Sequence, residues 1–261
     1  MGGLIAVEEK ETHAVIRLDR PEKKNAMNRA ARRELLGTLA ALQGHRAIVL
    51  TGTGDSFCAG VDLKESRADA EAGTPPEPAS DWIEVNLAIR RHPAILIAAV
   101  NGLALGGGAT LVSVCDLALA ATEAEIGMPE IGFAAYPQFS GPGAQIQLTA
   151  KRAAWLVLTA ERIDGATAEA WGMVNRAVPR ARLMAEAEAL AARLGRFDPA
   201  ALTESKRALE AIPQQISDWR TAFEYGIAAN HRIREAGQAQ QEGFARFAAG
   251  QRNPGQGPTQ T

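Results

Sequence analysis

Apolar and polar positions alternate at the start of the chain, in residues 4–8 and again in residues 12–19, on either side of a charged EEKE turn. A period of two is typical of half-buried strands, so this pattern predicts an opening β-hairpin. After Asn28, a residue type that caps helices, the pattern changes to a helical period over residues 29–42. The chain is therefore expected to open with two strands and a helix.

Short apolar runs at residues 47–52 and 95–100 predict buried strands, and residues 116–120 predict a further strand. Between the last two, residues 107–114 have the pattern of a buried helix. Strands that alternate with helices are joined by crossover connections, which place the strands side by side in parallel. The sequence therefore predicts an α/β fold.

Beyond residue 150 the pattern becomes almost wholly helical and rich in alanine. We place a soft boundary between a core, residues 1–195, and a helical region, residues 196–249. Residues 250–261 contain no apolar side chain that could anchor them, so we expect a disordered tail. Residues 66–80 contain Gly, Ser and three prolines near their end and predict a mobile loop.

The charge balance narrows the possible partners. The 261 residues carry a formal net charge of -2, so there is no basic excess for nucleic-acid phosphates or an anionic membrane. Residues 93–115 lack charge, but the glycines at their centre favour a strand, a loop and a buried helix over a membrane span. The N-terminus lacks the pattern of a signal peptide, so we expect a cytoplasmic protein.

Cysteine and histidine are too sparse to indicate a metal site or a disulfide framework. Cys58 and Cys115 have no histidine cluster near them, and the four histidines show no metal-like spacing. We expect both cysteines to lie in the core. We also expect no metal and no covalently bound cofactor.

Three consecutive glycines, Gly106, Gly107 and Gly108, lie between a predicted strand and a predicted helix. Glycine weakens both kinds of element and buries no side chain, so its use here indicates close approach of the backbone to another group. N–H groups at the start of a helix can stabilise a developing negative charge. With Glu130 downstream, the stretch predicts an oxyanion site beside a general base, although a tight turn alone would also use glycine.

A second loop of small residues also follows a buried strand. Ala59 and Gly60 precede a helix that Asp62 begins. Such a loop can supply another backbone N–H donor. The two loops together can direct two donors toward one oxygen anion.

These motifs resemble those of the enoyl-CoA hydratase (crotonase) superfamily. The similarity lies in LDRPEKKNAMN at residues 18–28, IVLTGTGDSFCAGVDLKE at residues 48–65, and AAVNGLALGGG with CDLALAATEAEIGMPE within residues 98–130. It covers most of residues 1–195, and EGFARF at residues 242–247 is similar to the family's last helix. The resemblance implies a crotonase-like ββα superhelix, or spiral, with a C-terminal helical region, an acyl-CoA substrate and a homotrimer or homohexamer.

The family's two oxyanion-hole amides fall by position on Ala59 and Gly107. The resemblance implies that they hold the thioester oxygen of an acyl-CoA as it becomes an enolate. It also implies a stretch of backbone that lines the CoA site, formed by Ala59, Gly60, Val61 and Asp62. Lys23 or Lys24 can meet the CoA phosphates, and the alternative for both is a solvated surface position.

The family has two catalytic carboxylates, of which one matches Glu130 and the other falls on Thr110. A threonine hydroxyl can orient a water or a substrate group but has no usable basicity near neutral pH. The substitution argues against hydration that shares one water between two glutamates. Glu130 alone can move a proton between carbons, which is double-bond isomerisation, or deliver a water as a hydratase with altered support. The first interpretation is therefore an enoyl-CoA hydratase or isomerase with a single catalytic Glu.

The acyl group is left open. Gln138 stands where some relatives that isomerise dienoyl groups or dehalogenate aryl groups have an aspartate, which argues against those reactions. Tyr136, Phe139 and Trp155 can shape an acyl pocket or simply pack in the core.

Two further interpretations remain. Thr110 and Tyr225 are similar in position to a hydroxyl residue and a tyrosine of relatives that hydrate and cleave hydroxycinnamoyl-CoA. A hydratase-lyase or C–C hydrolase on a bulkier, aromatic acyl-CoA is therefore the second interpretation. The third is a catalytically silent homologue that binds CoA thioesters.

Overall fold

The computed structural model describes residues 3–72, 80–215 and 218–249, so the tail predicted at 250–261 lies outside the described residues. The strands in this part of the chain are β1 (Ile5–Glu9), β2 (Ala14–Leu18), β3 (Ala47–Gly52), β4 (Ser56–Cys58), β5 (Ile95–Val100), β6 (Leu103–Leu105), β7 (Leu117–Ala121), β8 (Glu125–Gly127), β9 (Ile163–Asp164) and β10 (Arg176–Val178). The α-helices are α1 (Arg29–Ala41), α2 (Leu63–Glu71), α3 (Ser80–Arg91), α4 (Gly107–Val114), α5 (Ser140–Gln147), α6 (Ala150–Thr159), α7 (Gly165–Trp171), α8 (Arg180–Leu194), α9 (Pro199–Gln215), α10 (Trp219–Ala236) and α11 (Ala239–Ala248).

The larger sheet has the strand order β1-β2-β3-β5-β7-β10. Strands β1 and β2 form the predicted antiparallel hairpin, and the strands from β2 onward pair in parallel. Every residue of β3 and β5 is buried, as expected for parallel strands that are covered on both faces. Helix α8 packs against β3, β5 and β7. The predicted α/β class is confirmed.

The smaller sheet, with the order β4-β6-β8-β9, was not predicted. Its strands are two or three residues long, too short to produce a recognisable alternation. Strands β4, β6 and β8 pair in parallel, so their carboxyl ends lie at the same edge. The segments that leave this edge are the loop after Cys58, the glycine turn into α4, and a short 3-10 helix, Pro129–Phe133.

The mobile loop predicted over residues 66–80 is wrong in part. Residues up to Glu71 belong to α2, and Ser80 begins α3, while residues 73–79 lie outside the described residues. The carboxylate of Asp62 accepts a hydrogen bond from the N–H of Lys64, which starts α2 in a segment whose alanine and acidic residues support a helix. Both cysteines are buried, as predicted. No helix in the described parts of the chain is long and apolar enough to cross a membrane.

A buried ion pair attaches the C-terminal helices to the larger sheet. Lys206 on α9 lies with its Nζ 2.7 Å from Oδ2 of Asp116, and the two side chains are only 7% and 16% exposed. The ammonium also donates to the carbonyls of Ile89 and Ala94. Burial raises the pKa of Asp116, although the Lys206 charge and the N–H of Leu96 act in the opposite direction. Packing therefore continues across the predicted boundary between residues 195 and 196.

We predict that Lys206→Met lowers the free energy of unfolding by about 3 kcal/mol, because it leaves a buried carboxylate without its partner. Urea unfolding measures this change. The matched control is Arg182→Met, whose exposed guanidinium pairs with Glu186 one helical turn away and should contribute less than about 0.5 kcal/mol. Equal effects of the two substitutions would contradict the structural role of Lys206.

Candidate active site

Two of the segments that leave the small sheet touch through backbone alone. A Cβ added to Gly108 would lie 2.0 Å from the carbonyl oxygen of Cys58, and one added to Gly60 would lie 2.7 Å from that of Leu105 and 3.1 Å from the nitrogen of Gly107. Both distances to oxygen are far inside van der Waals contact, so no side chain fits at either glycine. Gly60 also has φ +91, which other residues rarely adopt. The glycines thus permit the close approach that the sequence indicated.

The amide of Gly107 is a free donor at this contact. Gly107 is the first residue of α4, and the first N–H groups of a helix have no partner within the helix. Among the described residues no group accepts a hydrogen bond from this N–H. The N–H therefore remains available to a bound anion or carbonyl oxygen.

The amide of Ala59, the other predicted donor, is already occupied. It donates to the carbonyl of Lys24 at 2.9 Å. The next amide, of Gly60, donates to Sγ of Cys58 at 3.4 Å, and the amide of Asp62 donates to the carbonyl of Met27 at 3.3 Å. Only the N–H of Val61 has no acceptor among the described residues. The free donor of this loop is therefore at Val61.

The direction of the Val61 amide follows from its peptide plane. The N–H of Met27 donates to the carbonyl of Gly60 at 2.7 Å, so that carbonyl faces Met27. In a trans peptide the C=O of one residue and the N–H of the next point in opposite directions, and the structure contains no cis bond in its described residues. The N–H of Val61 therefore points away from Met27.

Conspicuous polar residues of the motifs hold these loops in place. The buried side chain of Asn25 donates to the carbonyls of Thr53 and Ser56. Asn101, which belongs to the motif that contains the three glycines, also donates to the carbonyl of Ser56. Lys24 and Asn25 have φ of 51 and 55, a left-handed turn that aims the Lys24 carbonyl at Ala59. The side chains of Asn25 and Asn101 therefore shape the backbone, as does the carbonyl of Lys24, whose own side chain is exposed.

Asp62, predicted to line the CoA site, makes contacts within the protein. Its Oδ2 accepts a hydrogen bond from Arg20 at 3.0 Å, and its Oδ1 caps α2. Burial raises the pKa of Asp62, but the bond from Arg20 and those from neighbouring amides outweigh it, so the net pKa is lowered. Lys23 and Lys24 have exposed side chains beside this loop.

Glu130 lies directly against the glycine turn. A Cβ on Gly106 would be 2.7 Å from its Oε1, and Gly106 precedes the free amide of Gly107. The other carboxylate oxygen, Oε2, is buried and has no hydrogen-bond partner among the described residues. Burial raises the pKa of Glu130, and a bond from Ser140 only partly offsets it. The site therefore holds a desolvated carboxylate, the environment expected of a general base or acid.

Two buried hydroxyl groups lie at the start of α5 and within α4, and one of them contacts this carboxylate. Ser140, the fully buried first residue of α5, donates to Oε1 of Glu130 over a long 3.5 Å. Thr110 is also buried, but its hydroxyl donates to the carbonyl of Gly106 one turn earlier at 3.2 Å. The sequence predicted Thr110 as a site residue and missed Ser140. A serine at the start of a helix is common as a cap, so the sequence alone gives no sign of its contact with Glu130.

An aromatic wall flanks the glycines. The indole of Trp82 on α3 is nearest the Gly107 backbone, and the ring of Phe139 meets it edge to face at 6.2 Å between centroids. Phe139 therefore lies beside the indole that contacts the glycine turn. Tyr136 and Trp155 are about half exposed, and Tyr225 on α10 packs beneath the guanidinium of Arg232. Sequence reasoning missed Trp82, because α3 itself was not predicted.

One arginine connects this wall to the loop of Val61. The buried guanidinium of Arg32 donates to Oδ2 of Asp81, the residue before Trp82, at 2.9 Å. It also donates to the carbonyl of Met27 at 3.0 Å. Helix α3 and the backbone beside the free amide are therefore held by the same side chain.

In the described part of the chain, no group of three His, Cys, Asp or Glu side chains could hold a metal ion.

Comparison with known proteins agrees with this architecture of two mostly parallel sheets and C-terminal helices. Residues 8–253 match the family described as Enoyl-CoA hydratase/isomerase. A probable enoyl-CoA hydratase of Rhizobium meliloti (strain 1021) is 34% identical, with 94% of this chain and 95% of that protein covered. A hydroxycinnamoyl-CoA hydratase-lyase of Pseudomonas fluorescens is 30% identical, with 93% and 91% covered.

A solved structure of an enoyl-CoA hydratase from Mycobacterium smegmatis superimposes with a TM-score of 0.86 at 29% identity, covering 97% of this chain and 98% of that one. The predicted crotonase-like spiral is confirmed by this likeness and by the family match. The chain belongs to the enoyl-CoA hydratase/isomerase family.

We predict that Gly108→Ala destabilises the protein by about 1–3 kcal/mol or more, since its methyl group would overlap the Cys58 carbonyl. Thermal and urea unfolding measure the change. Gly37→Ala is the matched control, because Gly37 lies within α1 with nothing within 4 Å of the added carbon, and should stabilise by about 0.5–1 kcal/mol. The close contact would be refuted if both variants gained stability.

A second prediction concerns stability and pH. Because burial raises the pKa of Glu130, the folded state keeps this proton to higher pH than the unfolded state. The free energy of unfolding therefore falls as pH rises from about 4 through the raised pKa. Glu130→Gln removes this loss, so we expect the variant to gain stability over the wild type as pH rises toward about 7. Urea unfolding across this range, with the exposed Glu123→Gln as control, tests it; a constant difference would contradict the prediction.

Proposed function

We propose that the protein is an acyl-CoA enzyme of hydratase or isomerase type that stabilises a thioester enolate. The amides of Gly107 and Val61 hold the thioester oxygen, and Glu130 is the acid and base. The observation that carries this proposal is the buried carboxylate oxygen of Glu130 beside the glycine turn, which has no hydrogen-bond partner within the described ranges of the chain. Val61 replaces Ala59 in this role, because the amide of Ala59 is bonded to Lys24.

The chemistry needs one base. Glu130 takes a proton from the carbon α or γ to the thioester carbonyl, and the C–H electron pair becomes part of a new double bond. The carbonyl pair of the thioester moves onto its oxygen, where two N–H donors can each lower the barrier by roughly 3 kcal/mol. Return of the proton at the other carbon completes isomerisation. In hydration, Glu130 instead takes a proton from water as its hydroxyl adds to the β-carbon, and then gives that proton to the α-carbon.

Thr110 favours the version with a single carboxylate. Its hydroxyl is bonded to the carbonyl of Gly106 and has no basicity near neutral pH. Ser140 is the hydroxyl that supports Glu130 and is suited to orienting it. Proton transfer therefore rests on Glu130 alone.

The CoA portion is assigned to the loop of residues 59–62. Gly60 has no side chain to block the approach of CoA there, while Asp62 holds Arg20 and keeps the loop in shape. The exposed ammonium of Lys24 is available for a CoA phosphate. No further cofactor is required by this reaction.

We also propose a homotrimer or homohexamer, in keeping with the family resemblance. Large apolar side chains are exposed on the single chain, which is typical of surfaces that a further subunit covers. They include Phe133, Ile146, Leu158, Leu209 and Phe223.

We expect Glu130→Gln to reduce turnover by about 10²- to 10⁴-fold, because the amide cannot accept the proton. A panel of 2-enoyl-, 3-enoyl- and 4-hydroxycinnamoyl-CoA thioesters in deuterated water measures turnover and the position of deuterium in each product. Deuterium at C2 or C4 with a moved double bond indicates isomerisation, and a hydroxyl at C3 indicates hydration. Glu123→Gln is the control; equal turnover by wild type and Glu130→Gln would refute the role of Glu130 and favour a silent homologue.

A second candidate is a hydratase-lyase or C–C hydrolase acting on a bulkier, aromatic acyl-CoA. The 30% identity to a hydroxycinnamoyl-CoA hydratase-lyase favours it, as does the aromatic wall of Trp82 and Phe139. The same panel separates the two candidates. Release of an aromatic aldehyde and acetyl-CoA from the 4-hydroxycinnamoyl thioester would support cleavage.

A further inference from the structure

The indole of Trp82 has a hydrogen-bond donor that the fold does not use. The side chain is only 2% exposed, and its Nε1 is buried with no partner among the described residues. A buried Trp N–H usually finds an acceptor, and leaving it unpaired costs free energy. The enzyme therefore keeps a desolvated donor that a bound molecule can satisfy.

The donor lies beside the candidate site. Measured from the position of a Cβ on Gly107, Cζ2 of the indole is at 2.5 Å and Cε2 is at 3.2 Å. Nε1 is bonded to Cε2, so the donor lies within one bond of the ring atoms nearest the start of α4. The ring of Phe139 meets the indole at an interplanar angle of 71°. Trp82 thus forms a wall of the space next to the free amide of Gly107.

The indole is held in position before any ligand binds. Asp81, which precedes it, is bound to Arg32, and the amide of Asn86 donates to the Trp82 carbonyl at 2.8 Å. Val85 and Ile89 of the same helix are fully buried and pack it against the hydrophobic core. A donor that needs no ordering on binding adds affinity at little entropic cost.

We propose that Trp82 is a specificity-determining residue whose indole N–H donates to an oxygen on the acyl group, near its third carbon. The inference rests on the proposed function, which places the thioester oxygen at Gly107 and the following carbons along the wall. The site then binds acyl-CoA thioesters that carry a carbonyl or hydroxyl oxygen there, such as the product of hydration, more tightly than the enoyl thioesters that lack it. A plain hydrocarbon leaves the indole unpaired and is disfavoured. Because indole only donates, a protonated amine is excluded.

The test compares two saturated thioesters of equal carbon number, acetoacetyl-CoA and butyryl-CoA, which differ by the oxygen on the third carbon. Calorimetry gives Kd for each with the wild type and with Trp82→Phe, which keeps an aromatic ring but removes the donor. We expect the variant to weaken acetoacetyl-CoA by about 10-fold and butyryl-CoA by less than about twofold. Trp155→Phe, at a half-exposed position outside the wall, should change neither.

A second measurement uses the wild-type protein and does not depend on how well the variant folds. The indole N–H resonance of Trp82, assigned by elimination with Phe variants of the other three tryptophans, should move downfield with acetoacetyl-CoA and not with butyryl-CoA. Equal effects of the two thioesters on Kd and on the resonance overturn the role of Trp82 while leaving the proposed function intact. If the wild type binds neither thioester, the proposed function fails, and the inference fails with it.

Discussion

The site depends on one contact, the meeting of the loop after β4 with the first turn of α4 through bare backbone. The carbonyl of Cys58 lies where a side chain of Gly108 would begin, and Gly60 touches the nitrogen of Gly107. This contact brings the ends of neighbouring strands to one point and leaves the amides of Gly107 and Val61 without an acceptor in the parts of the chain that the structure describes. Burial raises the pKa of the Cys58 thiol to about 12, so the sulfur at this junction stays protonated and acts as packing.

Around this contact the protein tolerates costs that a purely structural protein would avoid. Oε2 of Glu130 and Nε1 of Trp82 are both buried without partners in the described residues. Each is a polar group removed from water without compensation, which destabilises the folded state. The larger sheet, with every residue of β3 and β5 buried, supplies the stability that offsets them. Two unsatisfied groups beside one glycine turn are typical of a functional site.

Much of the fold is readable from the sequence, because long buried strands such as β3 and β5 and the glycine start of α4 leave strong local patterns. The short strands of the second sheet leave no such pattern. The sequence therefore does not show that pairing of these strands brings three distant segments together. The free amide is a similar case. Whether Ala59 or Val61 donates is decided by the left-handed turn at Lys24, which aims a carbonyl at Ala59. A turn made by a lysine with positive φ is set by tertiary contacts and not by local propensity.

The anchor at Arg32 has a consequence for motion. Because one guanidinium holds both the start of α3 and the carbonyl of Met27, the wall that carries Trp82 and the loop that carries Val61 are linked through a single side chain. Helix α3 cannot swing outward as a gate without pulling on the loop or breaking two charge-assisted hydrogen bonds. Phe139 and α5 meet the site through a ring contact with Trp82 and the long hydrogen bond from Ser140, which constrain movement less than the two hydrogen bonds of Arg32.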